Sequence, residues 1–99
     1  MTAQTIRVIA RIVAQPSKVE DTRILLAGIV EATRKENGCV HYELMQNRAN
    51  PAEFTTLEEW ANEAAIAAHM ASDHVQAAFA KAGALLAEAP DIRQYTRLA

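Results

Sequence analysis

The side chains best suited to chemistry gather in one short stretch. Glu58-Glu59-Trp60-Ala61-Asn62 is the densest polar cluster in the chain, and His69 lies seven residues beyond Asn62. Imidazole is the side chain best fitted to exchange a proton near neutral pH. Trp60 supplies a flat apolar wall with one N–H donor, and Asn62 supplies a donor and an acceptor. Glu58 falls on the same strand face as Trp60. A helix that follows this strand must return over the sheet and carry His69 with it. Such a set suits the grip of a flat, hydroxylated aromatic molecule and the removal of its proton.

Each residue also has a plainer reading. Trp60 fits ordinary core, Asn62 a helix N-cap, His69 a satisfied core histidine, and Glu58 a surface or interface carboxylate. Tyr42 is core or cavity lining. His74 reads as an exposed first-turn residue, Cys39 as a small buried one, and Arg7 and Arg11 as interface ion pairs. His41 shares a face with Cys39 and Glu43 and suits an interface. Spacing alone leaves these alternatives open.

Other chemistries lack their parts. Three scattered glycines cannot form a phosphate loop, and no H-E-x-x-H, nucleophile elbow, flavin or nicotinamide motif is present. One cysteine excludes an internal disulfide, and with three scattered histidines it argues against a structural zinc site. An enzyme with this sequence is expected to use few residues and no tightly held organic cofactor.

The elements that must position these residues follow from the pattern. Residues 5–14 (TIRVIARIVA) alternate as a strand, with Ile6, Val8, Ala10 and Ile12 on one face and Arg7, Ile9, Arg11 and Val13 on the other. Ser17-Lys18-Val19-Glu20 has capping-box form. Val19, Leu26, Ile29, Val30 and Thr33 then repeat at helical spacing until Asn37-Gly38 stops the helix. Residues 39–47 form a second strand, with Cys39, His41, Glu43 and Met45 on one face and Val40, Tyr42, Leu44 and Gln46 on the other. A turn at Asn50-Pro51 leads to a third strand over residues 53–60, giving an antiparallel hairpin. Of the 29 residues from 61 to 89, 13 are Ala, which predicts helix throughout, broken near Ser72-Asp73 where Ser72 caps a second segment. Ile66, His69 and Met70 form one stripe; Val75, Phe79, Leu85 and Leu86 form another. Pro90 ends the helix and residues 92–98 form the last strand.

The order β-α-β-β-α-β is a split βαβ, ferredoxin-like arrangement: a single α+β domain spanning residues 1–99, with one antiparallel sheet and its helices on one face. The bare second face, carrying Ile9 and Val13, is expected to be covered by the sheet of a second copy. Dimerisation would also help so small a core, since 21 of the 99 residues are Ala. Ten basic and twelve acidic residues give a charge of −2 with no basic stripe, which makes nucleic acid a poor expectation. No apolar run reaches the ~18 residues of a membrane span. The opening MTAQTIRVIA has neither a basic leader nor a cleavage pattern. The expectation is a cytoplasmic domain.

The segment Glu58-x-Trp60-x-Asn62-x-x-Ala65-Ile66-x-x-His69 resembles the signature of the antibiotic biosynthesis monooxygenase domain family. Gly38-Cys39-Val40-x-Tyr42-Glu43 and Ser72-x-His74 are similar to that family as well, and the likeness covers essentially the whole chain. It implies a dimeric α+β barrel of two facing sheets, with one pocket per subunit between sheet and helices. The family includes cofactor-independent quinol and anthrone-type monooxygenases, haem-degrading enzymes and an isomerase of a small phosphorylated sugar. In the haem-degrading branch an iron-ligating histidine lies downstream of the signature, where this chain has the region of Phe79, which cannot bind iron. The isomerase needs a phosphate grip, for which Arg11 or Arg48 is a candidate. The quinol-type reading needs an apolar pocket with a histidine and a few polar groups.

The resemblance therefore implies a homodimeric monooxygenase that acts on a quinol or polyphenol with O2, without metal or flavin. His69, Asn62 and Trp60 are its expected catalytic residues. Tyr42, Glu58, Met70, Phe79 and Arg11 are its expected substrate contacts. An isomerase of a small carbonyl compound and a non-catalytic ligand-binding dimer are the rival readings.

Overall fold

Alternation of apolar side chains at residues 6–13 and 53–60 builds the two strands at the centre of the sheet. The computed structural model describes residues 4–99; residues 1–3, where the expected absence of a leader partly rests, lie outside the described residues. The elements in chain order are β1 (Ile6–Val13), a short 3-10 turn (Pro16–Lys18), α1 (Val19–Ala27), α2 (Val30–Arg34), β2 (Cys39–Gln46), β3 (Glu53–Trp60), α3 (Glu63–Ala71), α4 (Asp73–Leu85) and β4 (Asp91–Tyr95). The sheet order is β2-β3-β1-β4. Every neighbouring pair is antiparallel, with Val8 opposite Glu58 and Ile6 opposite Trp60. This is the expected α+β, ferredoxin-like topology.

One sheet face is covered and the other is open. Val8, Ala10, Ile12, Phe54, Thr56, Glu58 and Trp60 all point under the helices and are buried. They form two apolar clusters. Val8, Tyr42, Trp60 and Ala65 make one, against Val30, Cys39 and Ile66. Ala10, Ile12, Ala14 and Phe54 make the other, against Val19, Leu26, Leu44 and Leu86. Ile9, Met45 and Tyr95 remain exposed on the open face.

Several local expectations are corrected. The first helix does not use the Ser17 capping box: Pro16 opens a 3-10 turn, and the residue before α1, Lys18, makes no side-chain cap. Glu20 instead pairs with Arg23 on the solvent side. The long helix is also interrupted at Gly28–Ile29, so Val19 and Thr33 belong to separate segments. In β2 a register shift between Cys39 and His41 turns Cys39 towards the Tyr42 cluster rather than the face it would share with His41. The last strand ends at Tyr95 because its pairing with β1 ends at Arg7–Tyr95.

Two turns hold the helices where the site needs them. Asn62 Oδ1 accepts from Ala65 N at 2.9 Å and caps α3; Ser72 caps α4 through Val75 N. Gly38 has φ +87°, and a Cβ there would lie 2.5 Å from the Ala65 Cβ. Glycine is needed at this position for both its left-handed backbone and its lack of a side chain.

Candidate functional site

A cavity of about 250 Å3 lies between the covered sheet face and the helices. Its walls are mainly aliphatic. They come from β1 (Val8, Ala10, Ile12), α1 (Leu25, Leu26) and α3–α4 (Ile66, Met70, Val75, Phe79). Polar groups reach it at Thr22, Tyr42, Thr56, Glu58, His69 and Gln94. An apolar hollow with a few fixed polar groups is the usual form of a small-molecule site.

His69 is the best-defined of these groups. It lies in the last turn of α3, and its Nδ1 is 2.7 Å from Glu36 Oε2. Glu36 sits in the turn between α2 and β2, held by bonds from Glu36 N to Thr33 O and from Cys39 N to Glu36 O. The same carboxylate oxygen lies 3.0 Å from His74 Nε2. A carboxylate only accepts, so His69 Nδ1 and His74 Nε2 both carry hydrogens that point at it. The neutral His69 ring then keeps its lone pair on Nε2, which has no protein partner among the described residues. Ser72 donates its hydroxyl to the His69 carbonyl at 2.6 Å and fixes the end of the helix.

The aromatic walls hold the imidazole from the sheet side. The Trp60 and His69 ring centroids are 4.7 Å apart, and those of Tyr42 and His69 are 5.8 Å apart. Trp60 is fully buried and donates Nε1–H to Glu58 Oε1 at 2.8 Å, while the other Glu58 oxygen accepts from the Thr56 hydroxyl at 2.7 Å. Glu58 is thus a buried carboxylate with both oxygens engaged, facing the cavity. Burial first, then the negative charge of Glu58, pushes the Tyr42 phenol well above its ordinary range, so it stays protonated as a donor. Cys39 is raised as well, by burial and then by Glu36 and Glu58.

The structure brings His69, Tyr42, Glu58, Met70 and Phe79 to the cavity, with Phe79 partly exposed. Trp60 stands behind His69 as support and does not line the cavity. Asn62 does not line it either, because its side chain is committed to capping α3. Arg11 lies on the open sheet face, since odd-numbered β1 residues point away from the helices. There it donates to Glu88 at 2.8 Å and to Glu53 at 3.4 Å, and these bonds raise its pKa. Arg48 lies exposed in the β2–β3 turn, and no Lys or Arg lines the cavity among the described residues. The residue that sequence reasoning missed is Glu36. Its one signal was a carboxylate placed two residues before the left-handed Gly38. His74, expected in solvent, turns inward to the same carboxylate.

The chain belongs to the antibiotic biosynthesis monooxygenase family, whose sequence profile matches residues 5–81. It is 31% identical over 83 residues to YcnE of Bacillus subtilis, a proposed monooxygenase, covering 84% of this chain and 87% of YcnE. It is 29% identical over 88 residues to the uncharacterized protein sll1783 of Synechocystis, where it spans 89% of this chain but only 60% of the longer relative. Among solved structures, PA3566 from Pseudomonas aeruginosa superposes with a TM-score of 0.94 at 31% identity, covering 100% of this chain and 99% of that one. Rv0793 from Mycobacterium tuberculosis gives a TM-score of 0.91 at 27% identity, covering 97% of each chain.

Proposed function

We propose that this protein is a monooxygenase that acts on a quinol or polyphenolic aromatic compound with O2, without a resident flavin or metal. Family membership and the likeness to YcnE support monooxygenase activity in broad terms. One observation carries the finer reading: a buried imidazole, held by Glu36 through Nδ1, that lines an apolar cavity together with Tyr42.

His69 Nε2 takes a proton from the phenol or from an activated carbon of the substrate. Glu36 stabilises the imidazolium that results, in the manner of a carboxylate–histidine pair. The substrate anion is electron-rich and passes one electron to O2. The radical pair recombines to a hydroperoxide. Where the reacting carbon was a CH2 group, loss of water leaves a carbonyl, with one oxygen atom retained and the other released as water. The substrate supplies the reducing equivalents. Aliphatic walls exclude bulk water, and Tyr42, kept protonated by burial, donates its hydroxyl hydrogen to the substrate oxyanion on this reading. Trp60 and Glu58 keep the imidazole and the sheet wall in place. The open sheet face, with Ile9, Met45 and Tyr95 among Arg–Glu pairs, favours pairing with the sheet of a second copy.

The test is oxygen uptake by metal-stripped, flavin-free protein with hydroquinones and anthrone-like phenols. Uptake is expected above autoxidation and insensitive to chelator. It should fall about 10²–10⁴-fold in His69→Ala, the usual worth of a general base. Uptake equal to buffer, or unchanged in that variant, overturns the reading. Light scattering checks the dimer.

A further inference from the structure

We propose that Glu36, His69 and His74 form a binding site for a borderline divalent transition-metal ion of the Zn2+ type. The three residues come from the α2–β2 turn, the end of α3 and the start of α4, and each aims one ligand atom at a common point. Glu36 Oε2, His69 Nδ1 and His74 Nε2 all lie within 4.8 Å of one another. The two imidazole nitrogens lie 2.7 and 3.0 Å from the shared oxygen, so two protons now stand where a cation would bridge. Ligands around an ion with bonds of about 2.0–2.2 Å stand roughly 3.0–3.5 Å apart. Each nitrogen must therefore draw back from the shared oxygen by less than about 1 Å, while the two nitrogens already lie within 4.8 Å of one another. His74 sits in the first turn of α4 and is partly exposed, so its ring can make that adjustment and its side offers entry.

The donor chemistry selects the ion. Two imidazoles and one carboxylate suit Zn2+, Co2+ or Ni2+; Mg2+ and Ca2+ require an oxygen-dominated shell. Binding takes up a lone pair at His69 Nδ1 and at His74 Nε2, so in each neutral ring the hydrogen moves to the other nitrogen, Nε2 in His69 and Nδ1 in His74. On the reading of His69 as base, which this consequence rests on, occupancy leaves the hydrogen on Nε2, removes that atom as a proton acceptor and slows turnover. The metal site itself stands on the three-residue geometry alone.

The experiment separates the two readings by measuring binding without substrate. Metal-stripped protein is titrated with Zn2+ by calorimetry and with Co2+ by its visible ligand-field absorption. One ion per chain is expected. The affinity should fall about tenfold or more in His74→Ala and in Glu36→Gln, the scale on which ligand-shell changes act. His74→Ala removes a partly exposed side chain, so circular dichroism and the thermal midpoint confirm that it remains folded. His41→Ala serves as control, because His41 and Glu43 form a second histidine–carboxylate pair on the open face. Absence of binding, binding unchanged in both site variants, or binding lost in His41→Ala overturns the proposal. If Zn2+ binds at the site yet oxygen uptake is absent in the metal-free protein, the metal site stands and the base reading falls.

Discussion

His41 Nε2 and Glu43 Oε1 stand 2.7 Å apart on the open face of the sheet, with side chains 52% and 47% exposed. His69 Nδ1 and Glu36 Oε2 stand at the same 2.7 Å beneath the helices, with side chains 7% and 15% exposed. Equal distance does not mean equal consequence. The outer pair joins residues two apart on one strand, and in the single chain water and salt screen it. The inner pair joins residues 33 positions apart. It orders an imidazole between Trp60, Tyr42 and His74, and without the carboxylate the His69 ring loses its acceptor in a place that water reaches poorly.

That contrast can be broken by experiment. The largest effect is expected from Trp60→Ala, which removes the fully buried wall behind His69. Urea denaturation should show a loss of about 3–5 kcal/mol, the usual range for a buried tryptophan. A loss below about 1 kcal/mol would mean that the covered face is far looser than its packing indicates. Glu36→Ala comes next, with about 1–3 kcal/mol for stranding the buried His69 donor. Equal losses in Glu36→Ala and Glu43→Ala would erase the distinction between the pairs.

The third expectation concerns pH. The Cys39 thiol is pushed above its ordinary value of 9.0 by burial, so the folded state holds it neutral longer than the unfolded chain does. Its contribution to stability is complete below pH 9.0 and is lost as pH rises through the higher folded value. Unfolding midpoints should decline above that pH, and the decline should be shallower in Cys39→Ala. A midpoint that rises there would reverse the assigned direction. The smallest effect is Glu43→Ala, expected to change the stability of the unpaired chain, at dilutions that separate the proposed dimer, by less than about 0.5 kcal/mol in physiological salt.

The sheet was readable from the sequence because its central strands obey strict alternation. Every second residue from Phe54 to Trp60 is buried, including the polar Thr56 and Glu58. Ser72 announced the break between α3 and α4 by its type and by its place in an alanine-rich stretch. The capping box at Ser17 misled because Pro16 favours a tight 3-10 opening over the extended backbone that a capping residue needs. Cys39 changed face because a bulge adds a residue to one strand without altering its composition. The site was half readable. His69, Tyr42 and Glu58 could be placed by strand parity and helical stripe. Glu36 could not, because its role depends on how a turn after α2 meets the end of α3, a contact between distant parts of the chain. Asn62 was readable in type, but capping and ligand binding ask for the same amide, and the helix terminus used it.

The close approach of Gly38 to Ala65 also acts as a spacer gauge. Glu36 precedes Gly38 by two residues, and His69 follows Ala65 by one helical turn. Any thickness added at the glycine therefore pushes apart the two segments that bear the carboxylate and the imidazole. Two kinds of perturbation can be told apart there. Gly38→Ala burdens both the backbone angle and the gap, whereas Ala65→Ser leaves the angle alone and only thickens the far side. Comparing them would show how finely the bond between Glu36 and His69 depends on the fit between one turn and one helix, with neither partner of that bond altered.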